Sequence, residues 1–336
     1  MVTIGIIGAG RIGHVHAQSI TYSVPDAKIK VIADPFMDDK TVAWARSLGI
    51  ANTTKDYKEI IKDPEIDAVL ICSSTNTHAP ISIEAIKAGK HVFCEKPIDL
   101  ELSKIQEVAD ALKNSNVKYQ VGFNRRFDHN FKALHEAVHD GKIGKVQICK
   151  VTSRDPEPPS PAYVAVSGGL FLDMTIHDFD MVSYLCGSGI EEVYVEAACT
   201  VDPAIGKAGD VDTAIILLKM GNGSLAVIDN CRKSVYGYDQ RAEVFGTKGM
   251  IANANDSDSN AVLSTVDGVI GEKPQWFFLQ RYMNSYAEEM QQFVQCIEKD
   301  LPTPTTLDDG YKAVAVGLAA KKSATEHRPV KISEIG

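Results

Sequence analysis

The stretch that most constrains this chain lies at its start. Val2 to Ile7 is a short run rich in β-branched residues. It leads directly into Gly8-Ala9-Gly10-Arg11-Ile12-Gly13, a G-x-G-x-x-G, ahead of a helical pattern from His14 to about Tyr22. Strand, tight glycine turn and helix N-terminus in that order are the context the dinucleotide fingerprint requires. Gly8 makes the turn, Gly10 lets the backbone approach a pyrophosphate, and Gly13 allows close helix–strand packing. The N–H groups at the helix start, around Arg11 and Ile12, then hold phosphate oxygens. A second strand pattern, Lys28 to Ala33, ends in Asp34, about twenty residues past the glycines, where a carboxylate accepts from ribose hydroxyls. A 2′-phosphate meets repulsion there, so the expected cofactor is NAD and not NADP.

Helical and strand patterns alternate onward, as a parallel sheet demands. Ile66 to Cys72 is a buried strand followed by Ser73-Ser74-Thr75-Asn76-Thr77-His78. That loop sits at a strand's carboxyl end, where open α/β sheets bind ligands, so Ser73, Thr75, Asn76 and His78 are candidate cofactor contacts. Thr77 or Asn76 can equally cap the helix from Pro80 to Ala88. His91 to Cys94 is the next strand and ends in Glu95-Lys96-Pro97. A lysine at a strand's carboxyl end beside a cofactor crevice is a catalytic candidate, with Glu95 and Pro97 to hold it. Taken alone, a lysine before a proline is more often a solvated loop residue. Lys118 to Gly122 is a further strand, with Asn124 and Arg125 just beyond it.

The rhythm then changes. A chain of 336 residues suggests two domains, and the boundary is expected near residue 122. After a helix near Asn130 to His139, β-rich segments dominate: Lys145 to Ser153, Glu191 to Thr200, Asp212 to Lys219, Ser224 to Asn230, Gln240 to Phe245 and Gly249 to Asn253. Gly221-Asn222-Gly223 lies between two of them as a hairpin turn would. The fold class expected is α/β: an N-terminal Rossmann domain with a parallel sheet (1–122), then an α/β domain with a large, mostly antiparallel open sheet (123–336). A long helix is expected over about Arg281 to Glu298. A last helix, about 309–324, is expected to pack back on the first domain.

Within the second domain, Gly168-Gly169 opens an amphipathic helix expected to run to about Cys186, with Gly187 placed to stop it. Asp173 and His177 are four apart, so on a continuous helix they share one face. Asp beside His fixes an imidazole's tautomer and raises its basicity. A capping aspartate and a packed core histidine would give the same spacing; the company the pair keeps favours chemistry. Arg154, Asp155 and Tyr236 are further polar candidates for a substrate pocket.

With 35 basic and 44 acidic residues the formal charge is −9, which argues against a phosphate-backbone partner such as nucleic acid. The seven cysteines are scattered and form no C-x-x-C pair, so buried, reduced thiols are expected and no metal is implied. Neither a secretory signal nor a long apolar span is visible, so no membrane partner and a cytoplasmic location are the expectation.

The motifs together resemble the glucose–fructose oxidoreductase / inositol dehydrogenase / rhizopine-catabolism family (Gfo/Idh/MocA). The matching pieces are Gly8 to Gly13, Thr75 to His78, Glu95-Lys96-Pro97, Gly122 to Asp128, and Gly168-Gly169 through Asp173 and His177. They span both halves in the family's order. Leu172 to Asp180, with Tyr236-Gly237-Tyr238-Asp239, looks most like the bacterial inositol 2-dehydrogenases. The resemblance implies NAD-dependent oxidation of a small polyol, with Lys96, Asp173 and His177 as the catalytic group. Lys96, Asn124, Arg125, Arg154, Asp155, Asp173, His177 and Tyr236 would be substrate contacts; the glycine turn, Asp34, Ser73, Thr75, Asn76, His78, Glu95 and Lys96 would serve the cofactor. It also implies a homotetramer, or a dimer, through the C-terminal sheet. Two other readings are the same chemistry on scyllo-inositol, another isomer or an aldose, and a non-catalytic dinucleotide-binding sensor. Retention of Lys96, Asp173 and His177 counts against the sensor.

Overall fold

The computed structural model describes residues 1–335. By contact the chain forms two compact units: Met1–Phe127 with Met283–Val314, and Asp128–Tyr282 with the chain from Ala315 onward. The first break falls just past the expected change of rhythm at residue 122. The return of Met283–Val314 to the first unit carries no compositional mark.

The first unit is built on six parallel strands in the order β3-β2-β1-β4-β5-β6. They are β1 (Val2–Ile7), β2 (Ala27–Ala33), β3 (Asn52–Thr54), β4 (Ala68–Ile71), β5 (His91–Cys94) and β6 (Tyr119–Val121). Every residue of β1, β4 and β6 is buried, as in a sheet covered on both faces. Strand order reverses between β1 and β4, and carboxyl ends flanking such a reversal form the ligand crevice of a doubly wound sheet. The helix Arg11–Ser23 and the long helix Met283–Glu298 lie over one face. There Ile4, Ile6, Ile20, Phe93, Met290 and Phe293 form a core at most 1% exposed.

The second unit carries a seven-stranded sheet in the order β12-β11-β7-β10-β9-β8-β15. Its strands are β7 (Val146–Arg154), β8 (Ile190–Ala198), β9 (Thr213–Met220), β10 (Leu225–Cys231), β11 (Asp239–Gly246), β12 (Gly249–Ala252) and β15 (Val330–Lys331). Only β7 and β10 run parallel among the described pairs of this sheet, so it is mostly antiparallel, as expected. Gly221-Asn222-Gly223 does connect the antiparallel pair β9 and β10. Alternation fixes the faces. Ala214, Ile216, Leu218 and Met220 of β9 point inward, while Ile215 and Leu217 are 49% and 52% exposed on the other side. Ile148, Leu225 and Phe245 extend that apolar open face. An exposed two-stranded hairpin, β13 (Val262–Thr265) with β14 (Gly268–Gly271), was not foreseen.

The last helix runs Leu307–Glu326, longer than expected, and the two units divide it after Val314. In its first part Gly310 lies against Ile98 and Val121; in its second, Gly317 lies against Leu172.

Candidate functional site

In the first unit, space around the glycine turn separates the three positions. A Cβ on Gly8, which has φ +105, would sit 2.5 Å from the Cys72 carbonyl oxygen. One on Gly13 would sit 2.1 Å from the Gly8 carbonyl oxygen. One on Gly10, which caps the helix Arg11–Ser23, would meet nothing within 4 Å. The turn is thus closed against protein at Gly8 and Gly13 and open at Gly10, with the first N–H groups of the helix beside the opening. That is the shape a pyrophosphate needs. Asp34 stands next to this cradle. Its Oδ2 accepts from the Ala9 N–H at 2.7 Å and its Oδ1 from the Phe36 N–H at 2.8 Å. Each oxygen keeps a lone pair for a ribose hydroxyl.

After β4, Thr75–Thr77 forms one 3₁₀ turn, tightened by a 2.7 Å contact between the Ser73 and Thr77 hydroxyls. Asn76 is exposed; Ser73 and Thr75 are half-buried. His78 is expected to contact the cofactor. It is 2% exposed, with Nδ1 2.8 Å from the Pro97 carbonyl and Nε2 2.9 Å from the Ser73 carbonyl. Two carbonyl acceptors ask both nitrogens to donate, which favours the imidazolium. Burial opposes the charge, but Cys94 and the two carbonyls outweigh it and push the pKa up to about 9. His78 therefore ties the Ser73–Thr77 loop to the turn that carries Lys96. Lys96 is half-buried at the end of β5, and Glu95 before it is buried. Asn124 and Arg125 are each 3% exposed in the turn Asn124–Phe127, and the Asn124 Nδ2 meets no acceptor among the described residues.

In the second unit, Gly168 and Gly169 adopt φ +88 and +79. A Cβ on Gly169 would lie 2.6 Å from Asp210 Oδ1, and both Asp210 oxygens accept from the Leu170 N–H. Two left-handed residues thus deliver the chain to a helix start held by a carboxylate. The expected single helix is in fact two, Gly169–Asp173 and Ile176–Cys186, and Gly187 ends the second in the left-handed conformation, as its position suggested. The break centres on Thr175. The Thr175 N–H bonds the Leu170 carbonyl five residues back at 2.9 Å, while its buried hydroxyl reaches Leu170 O and Asn230 Oδ1.

Asp173 and His177, both half-buried, therefore flank a turn and do not share one straight helix. Asp173 accepts from Tyr163 Oη at 3.0 Å and from Arg232 Nη2 at 3.1 Å. Arg232 is 3% exposed and also reaches Asp155 Oδ2 at 3.3 Å. Burial works against its charge, but the two carboxylates prevail and its pKa is raised. Arg232 was missed from sequence; its only signal is its place just past the end of β10.

Arg154 ends β7, and Tyr236 lies between β10 and β11. Asn230 of β10 faces the helix Ile176–Cys186, donating to Asp178 Oδ2 at 2.9 Å. Its neighbour Asp229 points to the opposite face, where it accepts from Arg154 Nε at 2.7 Å. Tyr236 receives a bond from Arg154 Nη1 and donates to Asp239, whose carboxyl is held down to about 2 against burial by Arg241, Tyr236 and Asn255. Arg154 and Tyr236 thus join one polar network with Asp229, Asp239 and Arg241.

Comparison with known proteins decides the lineage. The description "Oxidoreductase family, NAD-binding Rossmann fold" matches residues 2–123, and "GFO/IDH/MocA C-terminal domain" matches residues 131–252. The chain belongs to the Gfo/Idh/MocA oxidoreductase family. It is 48% identical over 332 residues, 99% of each chain, to the Myo-inositol 2-dehydrogenase of Thermotoga maritima. It is 34% identical over 336 residues, 98% of this chain and 96% of the other, to the scyllo-inositol 2-dehydrogenase (NAD(+)) of Bacillus subtilis. A crystal structure of a probable dehydrogenase from Thermotoga maritima superposes with a TM-score of 0.97 at 47% identity over the whole of both chains. The glycine turn thus lies within the NAD-binding Rossmann region of a Gfo/Idh/MocA protein.

Proposed function

We propose that the chain is an NAD-dependent inositol 2-dehydrogenase that oxidises myo-inositol to 2-keto-myo-inositol (scyllo-inosose). The observation that carries this reading is the full-length likeness, at 48% identity, to a chain named for that activity. Scyllo-inositol is the second reading, favoured by the 34% identical relative named for it.

Oxidising a secondary alcohol removes a proton from oxygen while hydride leaves carbon. NAD, when bound, accepts the hydride. Arg11, Ile12 and Gly13 at the helix start and Asp34 at the ribose would hold it, with Ser73, Thr75 and Asn76 beside them and His78 bracing their loop. His177 takes the proton, since an imidazole's ordinary pKa lies near working pH. Asp173, itself fixed by Arg232 and Tyr163, orients the substrate and the base. Lys96 hydrogen-bonds the reacting oxygen and stabilises the developing alkoxide charge. Asn124, whose amide hydrogens lack an acceptor, together with Arg125 and Asp155, suits the remaining hydroxyls of a polyol.

The apolar open face of the second unit's sheet supports assembly of copies of this chain, as a homotetramer or a dimer. The buried thiols among the seven free cysteines suit a cytoplasmic location, and no helix among the described residues is long and apolar enough to cross a membrane. The test is NAD reduction by purified protein with myo-, scyllo- and chiro-inositol, glucose and xylose. Turnover with myo-inositol above the others supports the reading; preference for scyllo-inositol selects the second; silence on every inositol contradicts both.

A further inference from the structure

A cluster of polar side chains is shut inside the first unit behind Lys96. Glu95 is 8% exposed, and its Oε1 lies 2.6 Å from Nε2 of His16, which is 0% exposed on the helix Arg11–Ser23. Its Oε2 accepts the main-chain N–H of Lys96 at 3.3 Å. Phe93 and Tyr286 hold the His16 ring edge-on, with centroids 5.0 and 5.5 Å away. The glutamate has a floor as well: a Cβ on Gly122 would stand 2.9 Å from Oε2 and 3.1 Å from Oε1. The carboxylate therefore lies against the Gly122 backbone, fixed by an imidazole that cannot swing.

A second carboxyl shares this interior. Glu289, on the helix Met283–Glu298, is 0% exposed, and neither of its oxygens meets a hydrogen-bond partner among the described residues. An ionised carboxylate so placed costs many kcal/mol, so the group stays protonated. Burial first, and the neighbouring Glu95 second, raise its pKa well above the ordinary range. Glu289 thus backs the interior in which Glu95 holds the Lys96 main chain. Packing alone does not call for this arrangement, since an apolar side chain would fill the interior without stranding two carboxyl oxygens.

We propose that Glu95 is a positioning residue for Lys96: pinned by His16 and seated on Gly122, it fixes the main chain from which the lysine side chain departs. The inference rests on the assignment of Lys96 to the reacting oxygen. Displacing a catalytic group by about 1 Å can slow a reaction by about a hundredfold while binding persists.

The test compares Glu95→Gln, His16→Leu, His16→Gln and Lys96→Met in the full-length protein, with NAD and myo-inositol carrying protium or deuterium at the oxidised carbon. Glu95→Gln should lower kcat by about tenfold or more and raise the isotope effect on kcat as hydride transfer becomes limiting. His16→Leu should do the same. His16→Gln, which restores an N–H toward Glu95, should recover much of the loss. Wild-type kcat and isotope effect in Glu95→Gln overturn the proposal, and so does a loss confined to KM for NAD. Lys96→Met separates the two claims. If it is inert while Glu95→Gln is normal, only the positioning role falls; if it is itself near wild type, the assignment of Lys96 falls too. Circular dichroism of each variant guards against misfolding, and the His16→Gln recovery keeps the test decisive if His16→Leu does not fold.

Discussion

Replacing Gly10 and Gly13 one at a time by alanine should give opposite results, because the space around them differs. At Gly13 the new methyl would stand 2.1 Å from the Gly8 carbonyl oxygen, far inside contact, so turn or helix must move. Overpacking of this kind costs about 1–3 kcal/mol, and each kcal/mol lowers Tm by about 2–4 °C in a unit of this size. At Gly10 the methyl meets nothing within 4 Å, and φ −75 with ψ −171 suits an L residue. That substitution should leave the free protein as stable as before, or about 0.4–1 kcal/mol more stable through a stiffer unfolded chain. The open space is where the pyrophosphate belongs, so the loss should appear only with cofactor. NAD at a hundred times its Kd stabilises by about 2.7 kcal/mol, or about 5–10 °C; a hundredfold weaker Kd leaves about 0.4 kcal/mol, or about 1 °C. Thermal melts with and without NAD read both quantities. A Gly10→Ala protein with an undiminished NAD-induced shift would refute the reasoning, as would a Gly13→Ala protein as stable as the parent.

Glu289→Gln removes a buried carboxyl whose folded pKa is raised. Such a group favours folding most at low pH, and its contribution is lost as pH rises from about 4.5 toward the folded pKa. Urea unfolding should therefore show the variant gaining on the parent by about 1.4 kcal/mol per pH unit across that window; parallel pH profiles would contradict it. Arg232→Leu removes the buried cation between Asp155 and Asp173 and should lose about 3 kcal/mol in the same assay, whereas a loss below about 1 kcal/mol would show that solvent already screens the triad. Asp34 should hold kcat/KM with NADP at least about tenfold below that with NAD through charge repulsion, and equal use of the two would contradict its role.

The first unit was legible because its signals are local. Short β-branched runs such as Val2–Ile7 and Ala68–Ile71, bounded by turn signals, read as strands buried on both faces, and the glycine turn states which strand is central. The strands of the second sheet were legible from alternation, but their faces were not. Asp229 and Asn230 are adjacent and both polar; only the tertiary partners, Arg154 for one and Asp178 for the other, tell outside from inside. That is why the partners of Arg154 were not legible and Arg232 was missed. The helix break at Thr175 was hidden for a related reason, since half of its cause is Asn230, fifty-five residues away in sequence. The bracing contacts of His78 were not legible, because nothing in Thr75-Asn76-Thr77-His78 shows that Pro97 supplies its second acceptor.

The most direct test of the central claim is turnover of myo-inositol by His177→Ala beside the parent, with NAD binding measured on the same samples. The account predicts a kcat lower by about a hundredfold or more, with NAD affinity intact. Near-normal turnover by the variant would contradict it.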